Sequence, residues 1–187
     1  MQKTDETLVV AAQKGDKIAE EEILVRYRNL VRYCARKFFL IGGETEDLIQ
    51  EGMIGLYQAI GSYKSSETGA SNFKNFVFLC VWRRIVDAVK KASNKREIID
   101  VSLSVEDELL FAASNPEESV ILDDDRRELN VMMSRELTDF EFKVFTNYMD
   151  GASCAEICQL TGKSPKSVDN AVQRSKQKLR KALKNQG

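Results

Sequence analysis

Proline interrupts this chain only twice in 187 residues, at Pro116 and Pro165. A proline in a helix interior costs about 3 kcal/mol, so its scarcity suits helices. With 10 glycines and 30% charged residues, the first expectation is an all-α chain. At 43% hydrophobic composition, it can fill one core or two small ones.

Apolar spacing supports helices from the start. Ile23, Tyr27, Leu30, Cys34 and Phe38 recur every three or four residues and form one stripe. This helix is expected to end near Ile41, before Gly42-Gly43. Thr45 then caps a second helix to about Ile60, with Glu46 and Asp47 in its first turn, and Gly61 stops it. Ser62 to Asn72 reads as a polar surface loop. A long helix over about Asn72 to Lys95 follows, aromatic in its first half and basic in its second.

The last fifty residues are sharply punctuated. Thr138 with Glu141, and Ser153 with Glu156, each fit the S/T-x-x-E capping box. Gly162 suits a left-handed helix end, and Ser164-Pro165 places an N-cap before proline at the first helical position. Two helices joined by about three residues around a glycine make a helix-turn-helix, whose second helix enters the DNA major groove. On that helix Val168, Ala171, Val172, Leu179 and Leu183 share one face, leaving Lys166, Ser167, Asn170, Gln173 and Arg174 toward the reading end. Their amides and cations suit base edges, while Lys176, Lys178, Arg180 and Lys181 suit phosphates. A plain amphipathic helix with a solvated basic face is the competing reading.

Net charge, −1 overall, hides a division along the chain. Trp82 to Arg96 holds six basic residues against Asp87, and Lys163 to the end holds eight against Asp169. Between them, Glu97 to Glu136 holds twelve acidic residues and three basic ones, reading as an acidic linker and the entry to a second domain. Local basic patches, not totals, govern binding to nucleic acid. Four cysteines (Cys34, Cys80, Cys154, Cys158) lack C-x-x-C spacing and histidine is absent, so no metal site and no cofactor is expected. The thiols read as buried, with a Cys154–Cys158 redox pair disfavoured by helix geometry. No apolar run nears the roughly 20 residues that span a bilayer, and Met1 to Asp5 lacks a signal-peptide layout. A cytoplasmic protein without membrane contact is expected.

Glu46 to Ile60 reads EDLIQEGMIGLYQAI, which closely resembles the core-binding segment of the sigma-70 family of RNA polymerase sigma factors. The resemblance implies that Asp47, Gln50, Glu51, Ile54 and Gln58 contact the clamp-helix coiled coil of the largest polymerase subunit. Spacing puts these five on one side of a helix and Ile49, Met53, Leu56 and Ile60 on another. Gly52 and Gly55 inside that helix suggest close approach by a partner or a neighbouring helix. The following segment, about Tyr63 to Arg96, is similar to the family's melting and minus-ten-reading region. That likeness implies Arg83, Arg84, Asp87, Lys90 and Lys91 on DNA, with Arg84 and Asp87 nearest base readout. Tyr63, Phe73, Phe76 and Trp82 are the candidates for promoter melting, since aromatic faces stack unpaired bases at about 1–3 kcal/mol each. Core packing is the equal alternative for most of Phe73, Phe76, Phe78 and Trp82. Primary members of the family carry a tryptophan pair here, whereas this chain has Cys80, Val81 and a lone Trp82.

RYRNLVR, FFLIGG, NPEE and KSVDNAVQRSKQKLRKAL extend the likeness across nearly the whole chain, most strongly to the sigma-H type, associated with stationary phase and sporulation. The resemblance implies two small helical domains: residues 1–96 for core binding, minus-ten recognition and melting, and 126–187 as a helix-turn-helix domain for the minus-thirty-five box. Residues 97–125 form the acidic linker, which by analogy runs near the RNA path. Expected partners are the bacterial polymerase core and promoter DNA, duplex and melted, with room for an anti-sigma factor and association with the nucleoid in holoenzyme. The runner-up is a stand-alone helix-turn-helix regulator binding duplex DNA as a dimer. A third reading is a helical interaction protein that does not bind DNA. An enzyme is disfavoured by the lack of histidine, a metal cluster and a phosphate-binding glycine loop.

Overall fold

A computed structural model describes residues 3–38, 45–64, 73–92 and 130–184, which contain helices and no strand. The chain divides into two compact units, Met1–Glu106 and Asp107–Gly187. The expected acidic linker at 97–125, Gly42-Gly43 and most of the Ser62–Asn72 loop lie outside the described residues.

The first unit holds α1 (Asp5–Gln13), α2 (Lys17–Arg36), α3 (Thr45–Ser62) and α4 (Phe73–Ala92). Thr4 caps α1 and Asp16 caps α2, the latter accepting from the Ile18 and Ala19 N–H groups at 3.0 and 3.2 Å. Gly15 turns between them at φ 95°, a value that favours glycine. The expected stripe on α2 is buried at Ile23, Tyr27, Cys34 and Phe38, with Leu30 packed against the core. It meets Leu56, Ala59 and Ile60 of α3 and Val77, Val81, Ile85 and Val89 of α4.

The glycines of α3 are where neighbouring helices come closest. A Cβ on Gly52 would lie 2.7 Å from Val31 Cγ1 of α2, and one on Gly55 would lie 3.2 Å from the Cys80 carbonyl and Val81 Cα of α4. The approach is therefore made within the fold.

Two expected helix ends shift. α2 stops at Arg36, short of Ile41, because its last turn tightens into i→i+3 bonds from Lys37 to Cys34 and from Phe38 to Ala35. Gly61 does not stop α3, which runs to Ser62. The reason is tertiary: the Gln13 side chain of α1 donates to the carbonyls of Ile60 and Tyr63, both at 2.8 Å, satisfying groups a helix end leaves open.

In the second unit, residues 130–136 are helical and are followed by α5 (Asp139–Met149), α6 (Cys154–Thr161) and α7 (Pro165–Lys184). Both capping boxes form as expected: Thr138 and Glu141 at α5, Ser153 and Glu156 at α6. Gly162 ends α6 at φ 65°, and the Ser164 hydroxyl accepts from the Ser167 N–H at 3.3 Å to cap α7. Val144, Ile157, Val168, Ala171 and Val172 form the core, with Leu179 also buried. The Leu183 side chain lies outside the described residues.

The cysteines need correction. Cys34 is buried, but Cys80 and Cys158 are half-buried and Cys154 is exposed. Cys154 opens α6, where the capping turn leaves it at the surface with its Sγ 3.9 Å from the Pro165 carbonyl.

Candidate docking face and nucleic-acid interface

Helix α3 divides cleanly. Asp47, Gln50, Ile54 and Gln58 are exposed and Glu51 is partly so, while Leu56 and Ile60 are buried and Ile49 and Met53 are half-buried. The face thus offers carboxylates, amides and an isoleucine 42% exposed. Tyr57, 54% exposed, belongs to the same face. Its place at i+7 from Gln50 and i+3 from Ile54 is the periodic signal that could have found it.

On α4, Arg83, Asp87, Lys90 and Lys91 are exposed at i, i+4, i+7 and i+8 and share one face. Arg84 is partly exposed and turns instead toward α3, where its Nε donates to Glu51 Oε2 at 2.7 Å. The structure therefore joins one candidate docking residue to one candidate DNA residue.

The aromatic candidates are placed differently from a stacking platform. Tyr63, Phe73 and Trp82 are buried and Phe76 is half-buried. Tyr63 meets Phe73 edge-on at 5.0 Å and lies 5.5 Å from Phe76; Trp82 contacts Phe38 at 5.0 Å and Phe78 at 6.0 Å. This corrects the reading of Tyr63, Phe73 and Trp82 as ready partners for unstacked bases. Aromatic bulk fills the space between α4 and its neighbours, and burial holds it there.

On α7, Lys166, Asn170, Gln173 and Arg174 are exposed on one face at i, i+4, i+7 and i+8, opposite buried Val168, Ala171, Val172 and Leu179. Ser167 is half-buried, and its hydroxyl lies 3.1 Å from the Ser164 hydroxyl within the cap. Arg180 and Lys181 are exposed. Two other cations expected on phosphates are engaged within the fold. Lys178 Nζ donates to Glu141 Oε2 at 2.6 Å, and Lys176 Nζ sits 4.8 Å from the Tyr148 ring centre.

Glu141 is a hub. Its carboxylate accepts from the Thr138 N–H at 3.0 Å and from Lys178, and Arg174 Nε stands 3.6 Å away. Burial works against its charge, but the Lys178 bond and the two Thr138 donors outweigh that, holding the carboxyl below its ordinary 4.5. Among the described residues no group of acidic or thiol side chains is arranged to hold a metal ion, and no helix is long and apolar enough to cross a membrane.

Set beside known proteins, residues 23–95 match the family described as Sigma-70 region 2. The chain is 37% identical to the RNA polymerase sigma-H factor of Bacillus subtilis (strain 168), over 96% of this chain and 88% of that protein. It is 38% identical to the RNA polymerase sigma-H factor of Bacillus licheniformis, over 96% of this chain and 86% of that one. Among solved structures it is similar, at 18% identity and a TM-score of 0.38, to a chain in the structure of CnrH in complex with the cytosolic domain of CnrY; the match covers 98% of this chain and 99% of that one.

Proposed function

The chain belongs to the sigma-70 family of RNA polymerase sigma factors, close to the sigma-H type, and from that premise we propose which of its residues perform the family's work. As an alternative sigma factor it directs promoter-specific initiation. Residues 1–96 dock on the polymerase core and hold the minus-ten region, residues 126–187 read the minus-thirty-five box, and the acidic 97–125 segment links them. It contributes no catalytic group; phosphoryl transfer belongs to the core enzyme. Its place of work is the cytoplasm, at the nucleoid when in holoenzyme.

One observation carries the reading. The segment EDLIQEGMIGLYQAI forms a helix whose apolar side is packed in the fold while Asp47, Gln50, Ile54 and Gln58, with Glu51 beside them, are left facing outward. That face docks on the core, and Tyr57 adds aromatic area to it. An anti-sigma partner would act most directly by covering the same face. Arg83, Asp87, Lys90 and Lys91 lie along the promoter backbone of the minus-ten region, with Arg84 and Asp87 nearest the bases. Lys166, Ser167, Asn170, Gln173 and Arg174 enter the major groove as the reading end of α7, Ser167 through the cap. With Tyr63, Phe73 and Trp82 in the core, half-buried Phe76 is the remaining aromatic candidate for melting.

The test is run-off transcription by purified bacterial core polymerase on genomic fragments, with and without this protein. Discrete new starts sharing two spaced boxes are expected. No initiation, from core shown competent with another sigma factor, would favour a stand-alone helix-turn-helix regulator.

A further inference from the structure

The Arg84 side chain lies where α3 and α4 are closest. Its Cβ stands 3.1 Å from the position a Cβ on Gly55 would take, so its stem crosses α3 at the glycine and its guanidinium turns back one helical turn to Glu51. The pair is 2.7 Å apart, with side chains 37% and 36% exposed. It sits at the edge shared by the docking face of α3 and the cationic face of α4.

From this geometry, and resting on the reading of α3 as the polymerase-docking face, we infer that the Glu51–Arg84 ion pair is a latch. In the free protein Arg84 holds the carboxylate that docking needs, and docking releases Arg84 toward DNA. A carboxylate already neutralised by a guanidinium attracts a second cation weakly, and two cations around one carboxylate repel each other. A cationic or hydrogen-bonding group of the polymerase that engages Glu51 therefore weakens the internal pair. By linkage the effect is reciprocal: whatever frees Glu51 from Arg84 favours docking, and docking favours Arg84 leaving α3. Gly55 gives the latch its register, because a side chain there would lift the Arg84 stem away from Glu51.

Both partners are solvent-accessible, so the coupling is modest, about two- to fivefold in an equilibrium constant. Arg84 is thus a positioning and regulatory residue for docking, although it is not on the docking face.

The experiment is a double-mutant cycle on the affinity of the full chain for bacterial core polymerase, without DNA. Arg84→Met keeps the stem over Gly55 and removes the charge; Arg84→Gln is the second variant should the first fold poorly, with Trp82 fluorescence as the fold check. Arg84→Met is expected to tighten core binding about two- to fivefold in low salt. The gain should be absent in a Glu51→Gln background and diminished at high salt. Lys90→Met, which removes a cation from the exposed face of α4, serves as the charge control. Unchanged or weaker binding by Arg84→Met overturns the latch while docking itself stands. The same gain in the Glu51→Gln background, or from Lys90→Met, also overturns it. If the unaltered chain fails to bind core, the docking assignment falls and the latch with it.

Discussion

Gly55 and Gly61 are the same residue in the same helix under opposite constraints. A Cβ at Gly55 meets backbone, the Cys80 carbonyl and Val81 Cα at 3.2 Å, which a rotamer change cannot move. A Cβ at Gly61 meets nothing within 4 Å, and its backbone is not in the left-handed region. Gly61→Ala is therefore expected to stabilise the first unit by about 0.5–1 kcal/mol through helix propensity and a less disordered unfolded chain. Gly55→Ala gains the same propensity but must separate α3 from α4, with a net loss of about 1–3 kcal/mol. Trp82 is the sole tryptophan and is buried in this unit, so denaturant unfolding followed by its fluorescence reads both variants without interference from the second unit. Equal stabilities for the two would refute the packing account. The presence of glycine inside a helix marked the close approach from sequence alone; which helix approached was not legible, since that depends on residues more than twenty positions away.

Helix starts in the second unit were legible for a physical reason, since a capping box is local and made by residues three apart; Thr45, expected as a cap, is instead the first helical residue of α3. Thr138–Glu141, Ser153–Glu156 and Ser164–Pro165 lie where their sequences put them. Helix ends were less so, because α3 is prolonged by Gln13, some fifty residues upstream, and no local rule sees that contact. Glu141 joins both kinds, closing its own box and binding Lys178 of α7 across 37 residues. Its folded value lies below the ordinary 4.5, so its stabilising contribution is complete above the unfolded value and is lost as pH falls through the folded one. Glutamine at this position keeps a capping box but loses the ion pair. Glu141→Gln should therefore cost the second unit about 1 kcal/mol near neutral pH. The difference from the unaltered chain should shrink toward zero as pH falls below the ordinary 4.5 and through the folded value. Urea titrations followed by amide NMR signals from residues 130–184 would measure it. A difference that stays constant over that range would show that the Lys178 and Arg174 contacts do not hold the carboxylate charged.

Across the whole molecule, a net charge of −1 gave no sign of a nucleic-acid binder; its division did, because the cations gather on α4 and α7 while carboxylates line the outer side of α3. The proposed docking face and the proposed groove-reading helix belong to different compact units, so their contributions are expected to be separable by substitution. Glu51→Lys reverses charge on the docking face and should lower core affinity at every promoter alike. Gln173→Ala on α7 should leave core affinity unchanged. It should reduce transcription only where its base is present, by about 1–3 kcal/mol, or about five- to 150-fold in occupancy. Glu51 and Gln173 belong to separate compact units, so the double variant should show the sum of the two losses to within about 0.5 kcal/mol. Direct titration of core, together with in vitro transcription from two promoters differing at one minus-thirty-five position, separates these effects. A Glu51→Lys defect that varies with promoter sequence would contradict the division. So would a Gln173→Ala defect already present in core binding, because either result would make docking and reading one property of the chain rather than two.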